Sequence, residues 1–242
     1  MITLRLLVVA ILCALSAATP AAKPNIVFIL ADDLGWGELG SYGQKKIKTP
    51  NLDRLAKEGI RFTRHYTGAP VCAPARCVLL TGRHLGHAEI RSNGDSKNGR
   101  KFPGQWPITA HAVTIAESLQ EAGYATGGFG KWGLGPPGSV GGPLQQGFDR
   151  FYGFNCQRHA HNLYPRYLVD DRKKRILPGN RRALSGPHYG PQVVADELLA
   201  FVRENKHRPF FVYYASVLPH LALQVPAAEI ANYRGKWPET PY

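Results

Sequence analysis

The stretch Asn25-Ile26-Val27-Phe28-Ile29-Leu30 constrains this chain most: an unbroken apolar run, rich in β-branched residues, that stops at Ala31-Asp32-Asp33. A short run without polar alternation predicts a central strand buried on both faces, as in parallel sheets covered by helices. Its C-terminal end carries two adjacent carboxylates. Sites in open α/β sheets form outside the carboxyl ends of the strands, so Asp32 and Asp33 read either as oxygen ligands for a hard divalent cation or as caps of a turn.

The pattern of apolar segment and polar terminus recurs along the chain. Thr49-Pro50-Asn51 opens a helix with Leu52, Leu55 and Ala56 on one face and Gly59 as its stop, and residues 60–66 return as a strand. Cys72-Ala73-Pro74-Ala75-Arg76 then leads into an apolar helix ending near Gly82. The unpaired N–H groups and positive dipole end at its start favour anionic chemistry, and Arg76 adds a cation one turn on. The competing reading of Cys72 is a small buried hydrophobe.

Residues 83–101 read as a polar surface excursion holding His84, His87 and Arg91. An amphipathic helix over 113–122, closed by Gly123, precedes a strand at 124–129 that runs into Gly130-Lys131-Trp132-Gly133-Leu134-Gly135. Lys131 at that strand end either reaches an anion through close backbone or stands solvated among glycines. A Gly/Pro loop at 136–147 and an aromatic segment at 148–154 follow. Residues 191–205 form a helix burying Val194, Leu198, Phe201 and Val202, and 210–215 form a last buried strand with Pro219-His220 just beyond it. His220 either bonds an anion or leaving group, or is structural. No internal repeat interrupts the order, and the alternation predicts an α/β fold: a mainly parallel sheet sandwiched by helices.

Residues 1–22 stand apart. Arg5 is their only charge, 6–18 are nearly all apolar, and small residues follow. This is the layout of a signal peptide, too short in its apolar part to favour a transmembrane span. Cleavage after Ala18 or Ala22 is expected, and with the signal taken as 1–22, residues 23–242 are a protein exported to a periplasmic, secreted or lysosome-type compartment. Cys72, Cys77 and Cys156 then remain, an odd number, so at least one is unpaired, modified or bonded to another molecule. The formal charge is +13, of which Arg5 supplies one. With export, that charge argues against nucleic acid and for an acidic polysaccharide or a sulfated or phosphorylated substrate. The one dense basic run, Arg172-Lys173-Lys174-Arg175 followed by Arg181-Arg182, reads as a solvated loop.

These features combine. Cys72-Ala73-Pro74-Ala75-Arg76 resembles the Cys-x-Pro-x-Arg signature of the type I, arylsulfatase-like sulfatases of the alkaline phosphatase superfamily, in which the cysteine is converted to Cα-formylglycine. Asp32-Asp33, residues 49–56, Gly130-Lys131-Trp132, Gly147-Phe148-Asp149 and Pro219-His220 resemble the same family's landmarks in the same order. The resemblance implies a sulfuric ester hydrolase matured by a formylglycine-generating enzyme and acting on an aryl sulfate or a sulfated carbohydrate. Asp32, Asp33 and residue 72 would bind a divalent cation, Ca²⁺ or Mg²⁺. Cys72 as formylglycine would be the nucleophile, Arg76 would hold its hydrate, and Lys131 and His220 would contact the sulfate. A hydrated aldehyde suits this chemistry because one hydroxyl attacks sulfur and the other later loses its proton to expel sulfate.

The chain departs from the family pattern in two places. Gly133 stands where the family commonly has histidine, and His84, His87 and His111 are the candidate replacements. The family's later Asp-Asn metal pair, second lysine and C-terminal subdomain do not occur within the 242 residues, which predicts an incomplete metal shell and an uncovered sheet edge. Two other readings are a phosphonate or phosphate monoesterase of the same superfamily and an inactive sulfated-glycan-binding protein.

Overall fold

The computed structural model describes residues 22–94, 96–97, 100–101 and 105–238, so the predicted signal peptide lies, but for Ala22, outside them. The strands are β1 (Ile26–Asp32), β2 (Ser96–Lys97), β3 (Arg100–Lys101), β4 (Ala125–Lys131), β5 (Arg150–Phe154), β6 (Tyr167–Asp170), β7 (Lys173–Ile176) and β8 (Phe210–Pro219). Six of them form one sheet in the order β1-β8-β4-β5-β6-β7. The first four in that order run parallel, and β6 and β7 add antiparallel. The remaining two pair as a small antiparallel ribbon. The helices are α1 (Pro50–Glu58), α2 (Cys72–Thr81), α3 (Ile115–Glu121), α4 (Gln157–Ala160), α5 (Gly190–Asn205) and α6 (Ala227–Ala231).

Local chemistry explains the main boundaries. Thr114 caps α3 through a reciprocal pair, its hydroxyl accepting from the Glu117 N–H at 3.2 Å while the Glu117 carboxylate accepts from the Thr114 N–H at 2.7 Å. Pro191 occupies the first turn of α5, where its missing N–H costs nothing. Gly82, at φ 64°, ends α2 in the left-handed conformation.

Both faces of the sheet carry a core. On one, Cys77 and Leu80 of α2 and Ala116 of α3 pack with Trp132, Phe148, Phe211 and Tyr213. On the other, Val194 and Phe201 of α5 pack with Phe129, Phe154, Phe210 and Val212, the Phe129 and Phe201 rings lying 5.6 Å apart. Each buried Leu, Val or Phe among these contributes roughly 1.5–3 kcal/mol by leaving water. The sandwich and the mainly parallel sheet are therefore as the sequence predicts. No helix among the described residues is long and apolar enough to cross a membrane.

Three expectations are corrected. The 25–30 strand is not central: β1 lies at the sheet edge, with Val27 51% and Ile29 56% exposed. Apolarity records that a strand is suited to cover on both faces, and the described elements leave these side chains uncovered. Residues 60–66 form no strand. Ile60, Phe62 and Tyr66 are exposed, and the segment is tied to the turn before α1, where the Tyr42 hydroxyl donates to the Phe62 carbonyl at 2.7 Å. Alternating apolar residues make a strand only where a neighbour offers a ladder. The basic run at 172–175 is not a loop: Lys173–Ile176 pairs with β6 as the charged outer strand, and Lys174 Nζ sits 4.9 Å from the centre of the Tyr167 ring.

Candidate active site

Because β1, β8, β4 and β5 are parallel, their C-terminal ends share one edge of the sheet. Register places Asp32 beside Pro219 and Lys131 beside Phe154, so polar residues distant in sequence meet there. The close approach of β4 to β8 needs Gly130. Its φ is 99°, and a Cβ at that position would stand 2.0 Å from the Ala215 carbonyl oxygen.

Asp32, Arg76 and Lys131 form the floor and are 5%, 2% and 0% exposed. Lys131 Nζ donates to Asp32 Oδ2 at 2.7 Å, and Arg76 Nη2 lies 3.3 Å from Asp32 Oδ1. Arg76 Nη1 donates to the Lys131 carbonyl at 2.9 Å and to the Tyr213 hydroxyl at 3.5 Å, while its Nε has no partner among the described residues. Burial raises the Tyr213 pKa, with Arg76 opposing it. The buried trio thus holds two cations against one carboxylate, an imbalance that an incoming anion would relieve.

Cys72 is the first residue of α2, as the sequence predicts, and the Ala73 N–H is capped by Asn93 Oδ1 at 3.0 Å. Cys72, Cys77 and Cys156 are all free thiols. Burial raises the pKa of Cys77 and of Cys156, leaving half-buried Cys72 as the cysteine at the site. His220, just past β8, places Nε2 3.4 Å from Asp33 Oδ2. Ligand atoms of Asp32, Cys72 and His220 all lie within 4.8 Å of one another. The structure therefore gathers Asp32, Asp33, Cys72, Arg76, Lys131 and His220 into one cluster.

The three histidines proposed from sequence to replace the side chain at position 133 are not in it. His84 Nδ1 accepts from the Gly86 N–H at 3.1 Å, and His111 is on the surface. His87 lines a cavity of about 600 Å³ with Glu89, Arg91, Ser92 and Trp106, none of which belongs to the cluster. The imidazole that does reach it is His161, at the end of α4. Its ring stacks on that of His220 with centroids 5.0 Å apart and planes 17° apart. Burial, Lys131 and His220 lower the His161 pKa, and Asp32 and Asp33 oppose them. Sequence reasoning missed it, although it follows the aromatic β5 segment much as His220 follows β8.

A mainly parallel α/β sheet with a cation-rich cluster and a helix-terminal cysteine at its C-terminal edge is an arrangement chemically suited to an oxyanion. The particular kinship follows from comparison: the Sulfatase family profile matches residues 24–241, and the chain belongs to that family. It is 46% identical to human arylsulfatase D over 142 residues, covering 55% of this chain and 23% of the relative. It is 35% identical to N-acetylgalactosamine-6-sulfatase of Canis lupus familiaris over 231 residues, covering 89% and 43%. The crystal structure of Ps i-CgsB in complex with k-i-k-neocarrahexaose superposes with a TM-score of 0.75 at 29% identity, covering 90% of this chain and 50% of that one. The chain thus spans half or less of the length of these relatives.

Sulfatases generally use a formylglycine and a divalent cation, and the donor set can be tested against that need. Asp32, residue 72 and His220 converge on one side of a possible shell, Asp33 is outside that group and reaches it only through His220, and a hard cation such as Ca²⁺ takes six or more ligands. Both Asp32 oxygens already face Lys131 and Arg76, so those cations would share the carboxylate with a metal.

Proposed function

We propose that this chain carries the nucleophile side of the active site of a sulfuric ester hydrolase. The observation that carries the reading is the buried Asp32–Arg76–Lys131 trio with its excess positive charge, set beneath Cys72 at a helix start.

In this reading Cys72, converted to formylglycine and hydrated, presents a hydroxyl to sulfur. Arg76, fixed by Asp32, the Lys131 carbonyl and Tyr213, holds positive charge under that hydroxyl without having to reorganise during the reaction. Lys131 turns part of its hydrogen bonding from Asp32 to a sulfate oxygen, and His220, oriented by Asp33, faces the ester oxygen. Asp32 and Asp33 would hold a divalent cation, which supplies Lewis-acid polarisation of the sulfate oxygens. The relatives' names, an N-acetylgalactosamine-6-sulfatase and a protein crystallised with a neocarrahexaose, favour a sulfated carbohydrate as substrate. Export through residues 1–22 is part of the same reading.

The test is mass spectrometry and turnover on protein co-expressed with a formylglycine-generating enzyme. The peptide containing Cys72 should show the thiol-to-aldehyde loss and the protein should hydrolyse a sulfate ester, with Cys72→Ala inactive. Converted protein that turns over no sulfate ester would overturn the proposal.

A further inference from the structure

We propose that His161 is a substrate-contacting residue, donating a ring N–H to the leaving oxygen of the ester at the mouth of the site. It thereby supplies from α4 the contact that position 133 cannot make. The inference rests on the sulfatase reading above.

A side chain at position 133 would be strained by its backbone and would have to displace Gln157. Gly133 has φ 87°, and a Cβ there would meet Gln157 Nε2 at 1.8 Å. Gln157 fills that volume: it is 7% exposed, and neither its amide nitrogen nor its amide oxygen has a partner among the described residues. Gln157 and His161 are four residues apart across α4 and its C-cap, so they share a face of that turn. From that turn the His161 ring projects over His220.

The other histidine of this turn is already committed. His159 Nδ1 accepts from the Asn155 N–H at 3.1 Å, and its Nε2 faces the Tyr167 carbonyl at 2.9 Å. His161 is exposed, its ring makes no hydrogen bond among the described residues, and it has Lys131, Asp32 and Asp33 as charged neighbours. It is therefore accessible and uncommitted, and it lies on the open side of the same cluster whose floor is Lys131 and Asp32.

During cleavage the hydroxyl oxygen of residue 72 bonds to sulfur and releases its proton to solvent. The S–O ester bond breaks, its electron pair moves onto the ester oxygen, and that oxygen takes a proton from solvent. A His161 N–H aimed at the ester oxygen stabilises the charge as it develops there. The benefit is largest for an alkoxide and small for a phenolate that already delocalises its charge.

The test compares wild type, His161→Ala and His161→Gln, each with residue 72 converted, on 4-nitrophenyl sulfate and on a 6-sulfated amino sugar. The alanine variant should lose about 100-fold in kcat/KM on the sugar ester and less than about threefold on the aryl ester, with glutamine recovering part of the sugar activity. Both variants should melt within about 2 °C of wild type, because the ring is exposed. Equal losses on the two esters, no loss, or a fall in melting temperature large enough to account for the loss would overturn the inference and leave the sulfatase reading standing. A converted wild type inactive on both esters would overturn the sulfatase reading and this inference with it.

Discussion

Asp32 touches both buried cations of the site, and its removal would leave them buried without their carboxylate partner. Asp32→Ala should therefore lower unfolding free energy by about 3–5 kcal/mol in urea titration. Asp33→Asn, which is exposed and keeps a residue tolerant of the φ of 61° at that position, should change it by less than about 0.5 kcal/mol. A second contrast concerns Gln157, which buries an amide with no partner among the described residues. Gln157→Met keeps the volume and removes the orphaned groups, so it should raise stability by about 1 kcal/mol in the same titration. Five of the six clustered residues were legible because they stand at the end of an apolar run or open a helix, where a polar side chain is conspicuous, and Arg76 because it lies one turn after Cys72. Gln157 and His161 were not, since α4 is one turn long and too short for periodicity to mark.

At the scale of elements, α4 is pinned by a partly buried imidazole. His159 packs edge-on to Phe154 at 5.5 Å, and burial, aided by Arg182 and Lys174, lowers its pKa to about 4. The folded pKa lies below the unfolded value near 6.5, so between about pH 4 and 6.5 the unfolded chain binds the extra proton. Stability should fall as pH drops through that window, by at most about 3 kcal/mol, and His159→Gln should flatten the melting temperature against pH there. The element boundaries also show what one-dimensional patterns miss. α2, α3 and α5 were readable from Pro, Gly and capping residues. Residues 60–66 and 172–175 were misread because pairing with another strand is not encoded in the segment itself.

Across the whole molecule, the two ends of the sheet differ in chemistry. The outer strand β7 is armed with Lys173, Lys174 and Arg175, which discourages pairing with another chain, whereas β1 presents Val27, Phe28 and Ile29 to solvent. The 242-residue chain on its own should bind a hydrophobic dye and sediment as more than a monomer, and Val27→Lys with Ile29→Lys should reduce both effects. A dye-silent monomer would contradict this account.

The sequence by itself determined the class of the fold, the positions at which polar residues end the strands, and the family. All three follow from local order: apolar run, turn residue, charged terminus. The tertiary structure alone decided which strand lies at the edge, that Lys131 and Arg76 share one carboxylate, and that Gln157 rather than a side chain at 133 fills that part of the site. Those outcomes depend on register between strands far apart in the chain, and the spacing of residues along one segment carries no record of it.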